Sequence, residues 1–432
     1  MKVTIINKSD ATGGAAIVSY RLIEALTEAG VDARMVVADR QRPLPRISLA
    51  ASPWRLKAAF LKERLGIFLA NGMNRETLFK IDTAADGVPL HRHPWVREAD
   101  VICLDWVNQG LLSLKGLRRL GEMGKPMVWT MHDMWNMTGI CHHAGVCGRW
   151  RQNCGCCPLM NRRASADDLS ARTWKRKKGA YDTLVGTLPH GNEREGIAFV
   201  AVSNWLADKA RMSSLLRDAA VHVIPNAFPF DGSENPGRVR DSGNKARILF
   251  GAARLDDPIK GLPVMIRATQ ILADRHRDIA HDCEIVTFGR INRPEALSDF
   301  GIDHRHLGVL RGHEVKTTYE QSDIVLSASS YETLPGTLVE GQAWGCVPVS
   351  TLSGGQEDIV EHESTGYLVR PGDSIEKTAA GIADGVVWAY KQLQSDSTGI
   401  RERMLASARS RFAGEVVASR YIDLFNRLLG RG

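Results

Sequence analysis

Two glutamates that flank a Leu-Pro-Gly-Thr turn are the residues of this sequence best placed to do chemistry. Glu332 precedes the turn and Glu340 follows it. The apolar run before them, residues 323–327, predicts a buried strand, and the proline in the turn predicts that a helix begins there. The first N–H groups of a helix have no intrahelical acceptor, so those of Gly336 and Thr337 can bind an anion. Because the glutamates can bind hydroxyl groups, the pattern suits a phosphorylated sugar.

Basic residues follow the ends of two further predicted strands. Arg254 comes after the strand at residues 247–251, and Lys260 follows six residues later. Two cations beside a helix start can neutralise a diphosphate, arginine through its planar fork and lysine as a point charge. Ordinary surface charge is the alternative interpretation. Arg290 ends the neighbouring predicted strand and can line a pocket for a base.

In the first half of the chain, a glycine pair and a histidine also follow predicted strands. Gly13 and Gly14 come after the strand at residues 3–7, and glycine lets the backbone approach a ligand closely, although a diglycine is often only a turn. His132 follows the strand at residues 127–130, which predicts a position near the ligand-binding edge of a sheet. A purely structural histidine is the alternative.

The cysteines are concentrated in residues 141–157, where five of the eight occur. In a cytosolic protein, clustered cysteines favour a metal over disulfides. Four of them form the pattern C-x5-C-x6-C-x2-C, and tetrahedral zinc binds four thiolates. A cysteine-rich loop without metal, reduced or oxidised, is the alternative. The four candidate ligands of a structural zinc ion are Cys141, Cys147, Cys154 and Cys157.

The length of 432 residues predicts more than one domain. Strands alternate with helices in both halves, which indicates an α/β protein with two doubly wound domains. The polar stretch at residues 231–245 is typical of a linker. We predict an N-terminal Rossmann-like domain over 1–230 that carries the cysteine-rich insertion, a C-terminal one over 231–412, and a final helix within 413–432 that packs back on the first domain.

Charge and hydropathy restrict the partners and the cellular location. The net charge of +7 favours anionic partners, but no nucleic-acid motif occurs, so we expect no nucleic acid. No run of 18 apolar residues and no signal-peptide core occur, so we expect a cytoplasmic protein.

Residues 54–69 mix aromatic, aliphatic and basic side chains, which suits either an anionic membrane surface or packing on the protein itself. The basic run at residues 174–178 is typical of a solvated helix face.

Together these motifs resemble the retaining glycosyltransferases of family GT4, which have the GT-B fold, over nearly the whole chain. The most specific match is Glu332 with Glu340 and the following stretch 341–349, where the family typically has EAxAxGxPVV. Two basic residues, Arg254 and Lys260, match those that bind the donor diphosphate in the family. The histidine near the donor sugar and the N-terminal glycine loop are matched by His132, Gly13 and Gly14.

The resemblance implies two Rossmann-like domains facing across a cleft, and transfer of a sugar from a nucleotide-diphosphate sugar to a glycan acceptor. It implies that Glu340 binds the ribose, that Glu332 and His132 contact the transferred sugar, and that catalysis requires no metal or other cofactor. Alternatives on the same fold are a non-catalytic sugar-nucleotide-binding protein, a phosphorylase and an epimerase.

The sequence departs from the commonest family pattern in two places. Thr-Leu-Pro follows Glu332 instead of Ser-Phe-Gly, and the cysteine-rich insertion follows His132. Both departures resemble capsule and exopolysaccharide enzymes, including the colanic-acid type. With the basic charge, this suggests a lipid-linked acceptor at the inner membrane face and a role in bacterial surface polysaccharide biosynthesis.

Overall fold

The computed structural model describes residues 1–184, 196–230 and 245–431. The chain divides into two compact units, one of Met1–Ala227 with Gly414–Gly432 and the other of Phe228–Ala413. The predicted linker at residues 231–245 lies outside the described residues except for its last position.

The first unit is built on a parallel sheet of seven strands in the order β3-β2-β1-β4-β5-β6-β7. Its strands are β1 (Lys2–Ser9), β2 (Asp32–Asp39), β3 (Ile47–Leu49), β4 (Val101–Leu104), β5 (Met127–Met131), β6 (Ile197–Ala201) and β7 (Val221–Val223). Its helices are α1 (Gly14–Glu28), α2 (Pro53–Ala70), α3 (Pro94–Glu98), α4 (Leu114–Gly121), α5 (Leu169–Tyr181), α6 (Asn204–Met212) and, from the C-terminus, α13 (Gly414–Leu428).

Burial on both faces explains why the central strands are continuous apolar runs. Every residue of β4, β5 and β6 is buried, as expected for parallel strands covered by helices on each side. The C-terminal helix α13 contributes Val417, Tyr421 and Phe425 to the same buried cluster as Ile23 and Leu26 of α1. This helix therefore completes the core of the first unit.

The second unit is built on a parallel sheet of six strands in the order β10-β9-β8-β11-β12-β13. Its strands are β8 (Ala246–Arg254), β9 (Cys283–Arg290), β10 (Asp303–His306), β11 (Ile324–Ser327), β12 (Val347–Thr351) and β13 (Tyr367–Val369). Its helices are α7 (Leu262–Arg275), α8 (Arg277–His281), α9 (His313–Glu320), α10 (Gly336–Ala343), α11 (Ile375–Ser395) and α12 (Ser397–Phe412).

The strand order of each sheet fixes where a ligand can bind. From β8 the chain moves outward to β9 and β10, and it then returns to form β11 on the other side of β8. The loops after β8 and β11 therefore diverge, which leaves a crevice at the carboxyl ends of these strands. The first sheet has the same change of direction between β1 and β4. The prediction of two doubly wound α/β sheets is confirmed.

Candidate active site

Lys260 and Glu332 lie together at the carboxyl ends of β8 and β11. The Nζ atom of Lys260 is 2.6 Å from Oε1 of Glu332. The backbone N–H of Ser330 donates to the carbonyl oxygen of Ile259 over 2.8 Å, which ties the loop after β11 to the turn after β8. The two side chains are 33% and 18% exposed, so both can reach a ligand. Their charges are therefore presented at the point where the strand order reverses.

Glycines allow the loops around this pair to approach closely. Gly261 has φ of 74°, and a Cβ atom there would lie 2.2 Å from the carbonyl oxygen of Ala328. A Cβ atom at Gly354 would lie 1.7 Å from the carbonyl oxygen of Glu332, which also accepts a hydrogen bond from the N–H of Gly355. The position of Glu332 thus depends on a side-chain-free neighbour on the loop after β12.

The helix α10 begins beside this pair, as the sequence predicts. Pro335 precedes its first residue, Gly336, and the short loop from β11 places the helix N-terminus at the carboxyl edge of the sheet. The backbone N–H groups of Gly336 and Thr337 have no intrahelical acceptor, because they belong to the first turn. Glu340 is partly buried one turn further along α10. The N-terminus of α10 is suited to an anion.

Arg254 and Arg290 end the adjacent strands β8 and β9 at the same edge of the sheet. Two carboxylates lie beside Arg254: its guanidinium is 3.6 Å from the carboxylate of Asp256 and 3.2 Å from that of Asp257. The carboxylate of Asp257 also accepts the N–H of Ile259, which holds the turn before Lys260. A phosphate would compete with these carboxylates for Arg254.

In the first unit, His132 follows β5 and lies beside an aspartate that the sequence analysis did not single out. The Nε2 atom of His132 is 3.8 Å from Oδ2 of Asp105, which directly follows β4. Both line a cavity with Ser19, Thr130 and Tyr421. Oδ2 of Asp105 accepts a hydrogen bond from the Ser19 hydroxyl, whereas its Oδ1 is buried with no hydrogen-bond partner among the described residues. Asp105 could have been identified from the sequence, because it directly follows the apolar run that forms β4.

Gly13 and Gly14 lie at the carboxyl end of β1, the strand next to β4. Gly13 has φ of 91° and precedes the first residue of α1, and both glycines are exposed. No heavy atom lies within 4 Å of where a Cβ atom of either residue would be. The open backbone at this helix start is compatible with the predicted approach to a ligand.

A buried charged cluster holds the segment that follows His132. The imidazole of His142 is bonded through Nδ1 to Asp133, over 2.7 Å, and through Nε2 to Asp82, over 2.8 Å. Burial lowers the pKa of His142, but the charge of Asp133 and the bonds to both carboxylates outweigh it and raise this pKa to about 10. Burial raises the pKa of Asp133, yet the same imidazolium lowers it to about 2. Asp82 is also paired with Arg64 of α2.

The helix α2 has a polar anchor on one side and an apolar surface on the other. Its inward carboxylate, Glu63, accepts hydrogen bonds from the backbone N–H groups of residues 83, 85 and 86. On the outer side, apolar residues are each more than half exposed: Trp54, Leu61, Leu65 and Leu69. The two interpretations of this segment are therefore compatible, because the helix packs on its own unit and still presents an apolar face.

The four predicted zinc ligands line one cavity of the first unit. Burial raises the pKa of Cys141 to about 12 and that of Cys154 to about 11. In the part of the chain that the structure describes, which includes all of 141–157, no three or more histidine, cysteine, aspartate or glutamate side chains form a group arranged to hold a metal ion. The zinc site therefore stays a prediction.

The interpretation of residues 174–178 as a solvated helix face is wrong for Lys177. This side chain is fully buried, and its ammonium donates to the carbonyl oxygens of Trp135, over 2.6 Å, and Thr138, over 3.0 Å. It also lies 3.2 Å from the centre of the Trp135 ring, a cation–π contact. Burial nevertheless lowers the pKa of Lys177 well below its ordinary value, because the carbonyl groups and the ring replace only part of the water that the ammonium loses.

Comparison with known proteins agrees with this architecture. Residues 246–385 match the family model of the glycosyl transferases group 1. A putative colanic acid biosynthesis glycosyl transferase of Escherichia coli K12, WcaC, is 22% identical over 84% of this chain and 85% of its own length. A phosphatidyl-myo-inositol mannosyltransferase of Mycobacterium tuberculosis is 26% identical over 54% of this chain and 60% of its own. An uncharacterized glycosyltransferase of Methanocaldococcus jannaschii is 25% identical, and this chain spans 44% of its length.

Solved structures share the fold over the whole chain. A glycosyltransferase of Rickettsia africae superposes with a TM-score of 0.63 at 15% identity, over 100% of this chain and 99% of its own. HepE of Anabaena, in complex with UDP and glucose, superposes with a TM-score of 0.59 at 14% identity, over 99% and 100%. None of the described helices is long and apolar enough to cross a membrane. The chain therefore has the GT-B fold, and its segment 246–385 is that of a group 1 glycosyltransferase.

Proposed function

We propose that this enzyme transfers a sugar from a nucleotide-diphosphate sugar, with retention of anomeric configuration, to a lipid-linked glycan in bacterial surface polysaccharide biosynthesis. The observation that carries the donor assignment is the Lys260–Glu332 pair beside the N-terminus of α10, at the carboxyl ends of β8 and β11. This arrangement offers positive charge for a diphosphate and a carboxylate for sugar hydroxyls within one crevice.

The roles of the donor-binding groups follow from their charges. Lys260, Arg254 and the first N–H groups of α10 stabilise the diphosphate as negative charge develops on it during bond cleavage. When a phosphate takes the ammonium of Lys260, Glu332 is released to accept hydrogen bonds from the sugar. Glu340, one turn along α10, accepts hydroxyls of the ribose. Because cationic side chains stabilise the leaving group, we expect no requirement for a divalent metal.

Uridine diphosphate sugars are the first donors to test. HepE of Anabaena, which shares the fold, has been solved in complex with UDP-glucose. The screen should also include donors with each of the other common bases. Binding to the native state raises the thermal unfolding temperature, so the screen works with the donor alone and without any acceptor.

The lipid-linked acceptor is supported by the outer face of α2. Three leucines at intervals of four residues lie on one side of this helix, and Lys57 and Lys62 are exposed beside them. An exposed apolar stripe flanked by lysines suits the surface of an anionic membrane, where a lipid-linked glycan is found. The similarity to a putative colanic acid biosynthesis enzyme also favours such an acceptor.

The deciding experiment combines the donor screen with a transfer assay. A donor that raises the unfolding temperature is incubated with lipid-linked oligosaccharides, and NMR then determines the anomeric configuration of the product. We expect transfer with retention. An inverted product would refute the proposed mechanism, and binding without transfer or hydrolysis would identify a non-catalytic sugar-nucleotide-binding protein. Activity that depends on free phosphate would identify a phosphorylase, and conversion of the donor without acceptor would identify an epimerase.

A further inference from the structure

Four cysteines from different parts of a seventeen-residue segment face the same cavity in the first unit. Cys141, Cys147, Cys154 and Cys157 all line it, together with Trp150 and other residues. Sequence spacing alone does not require this convergence, because the segment contains several turns. The fifth cysteine, at position 156, is exposed and is not part of the lining. The fold therefore selects the four cysteines of the C-x5-C-x6-C-x2-C pattern and leaves the fifth in solvent.

The backbone around the cavity is shaped to donate hydrogen bonds to sulfur. The N–H of Gly139 donates to Sγ of Cys154 over 3.1 Å. A side chain at Gly139 would not fit, since its Cβ atom would lie 2.4 Å from the carbonyl oxygen of Ser170. Hydrogen bonds of this kind stabilise metal-bound thiolates and fix their direction.

The four thiols line one cavity, but their sulfur atoms are not arranged around a common point. Among the described residues, no group of three or more potential ligands is arranged to hold an ion. Neutral thiols have little attraction for one another, so nothing draws them to a common point until an ion is bound. Rotation of a cysteine about its Cα–Cβ bond moves the sulfur between staggered positions without moving the backbone. Binding of an ion in the cavity therefore requires that the thiols turn towards it about these bonds.

We propose that Cys141, Cys147, Cys154 and Cys157 bind one zinc ion in a structural site. Binding replaces the four thiol protons, which pass to solvent. The ion joins the two ends of the segment 141–157, and His142 at its beginning is bonded to Asp133, the neighbour of His132. The site thereby anchors the loop that carries the predicted sugar-contacting histidine. This inference does not depend on the identity of the donor or acceptor.

The test uses the full-length enzyme purified with zinc sulfate in the medium. Metal analysis should give about one zinc per chain in the wild type and in Cys156→Ser, a matched control from the same turn. In Cys154→Ser and Cys157→Ser the zinc content per chain should fall at least about tenfold, because only three thiolates remain to bind the ion. Cobalt added to metal-free wild type should give thiolate charge-transfer absorption with the spectrum of a tetrahedral site.

Outcomes in the wild type decide the proposal even if a variant fails to fold. A zinc content near zero together with four titratable thiols would overturn it, as would an intact mass showing a disulfide among the four cysteines. A chelator should lower the unfolding temperature of the wild type and of Cys156→Ser equally. An unchanged unfolding temperature in a wild type that has lost its metal would show that the ion does not stabilise the segment, against the proposed structural role.

Discussion

The ammonium of Lys260 lies 2.6 Å from the carboxylate of Glu332, so two side chains with separate proposed roles towards a donor hold one another in place. Each is partly exposed, and a pair of this kind contributes at most about 1 kcal/mol to the free energy of unfolding. The pairing positions both groups at the crevice and costs the protein little when a ligand replaces it.

We predict that Lys260→Ala lowers the rate of donor turnover by at least about tenfold, which corresponds to about 1.4 kcal/mol. The free energy of unfolding should change by less than about 1 kcal/mol, because the pair is near the surface. Initial rates and urea unfolding measure the two quantities. Lys377→Ala removes another surface lysine of the second unit, one paired with Asp373, and should leave turnover unchanged. Wild-type turnover in Lys260→Ala would refute the assignment.

The glycine beside Glu332 gives a second prediction. Gly354→Ala places a methyl carbon 1.7 Å from the carbonyl oxygen of Glu332, so the loop that carries this glutamate must move. We expect donor turnover to fall by at least about tenfold, since a small displacement of a positioned group is enough for such a loss. The measurement is the same initial-rate assay, with circular dichroism to show that the protein is folded.

A glycine with open space provides the control for this prediction. No atom lies within 4 Å of the position of a Cβ at Gly179 in α5, so Gly179→Ala should keep full turnover. It should also raise the free energy of unfolding by about 0.5–1 kcal/mol, because alanine favours a helix over glycine. Equal turnover in both alanine variants would show that the loop after β12 does not position Glu332.

Most strands of the two sheets could be predicted from the sequence, because the central strands are runs of apolar residues. The exceptions are edge strands: β10 has the sequence Asp-His-Arg-His, which carries no apolar pattern, and β3 is only three residues long. Edge strands are covered on fewer sides, so their side chains need not be apolar. An edge strand is defined by its hydrogen bonds to one neighbouring strand, and this pairing cannot be recognised from the residue types of the edge strand alone.

The candidate site was predicted unevenly for a similar reason. Glu332 and Lys260 follow predicted strands, so their shared edge could be inferred, although not their direct contact. His142 could not be assigned, because its two carboxylate partners are 9 and 60 residues away in the chain. Lys177 was misinterpreted, because a run of basic residues hides the one member that points inward. Long-range partners of buried polar groups are decided by tertiary packing.

The pKa of His142 leads to a prediction about stability and pH. Its folded-state pKa of about 10 is above the ordinary value of 6.5, so the protonated ring stabilises the fold fully below pH 6.5 and loses this effect as the pH rises through about 10. For Asp133 the folded-state pKa of about 2 is below 3.8, so its contribution is present above pH 3.8 and lost as the pH falls through about 2.

We therefore expect the free energy of unfolding lost in His142→Asn to be largest between pH 4 and 6.5 and to shrink steadily towards pH 10. At its largest the loss should be about 3–5 kcal/mol, because the substitution leaves a buried carboxylate without its cation. Urea unfolding of both proteins across this pH range measures the difference. His143→Asn changes the exposed neighbouring histidine and should show no such dependence. A loss that is independent of pH would mean that His142 is neutral.

The outer face of α2 gives the last prediction, which concerns the proposed membrane surface. Leu61, Leu65 and Leu69 are 53%, 57% and 61% exposed on one side of the helix, so replacing all three with serine should not disturb the core. Each leucine that enters a membrane interface contributes about 1.5 kcal/mol or more, so the triple variant should bind vesicles at least about a hundredfold more weakly. Flotation with phosphatidylglycerol vesicles at low salt measures this binding.

Ile375→Ser removes a similarly exposed apolar residue from the second unit and should float like the wild type. Binding should weaken as salt is added, because the lysines beside the stripe contribute through screened charge. If the wild type does not float with these vesicles, the membrane proposal fails, while the donor assignment, which rests on Lys260 and Glu332, is unaffected.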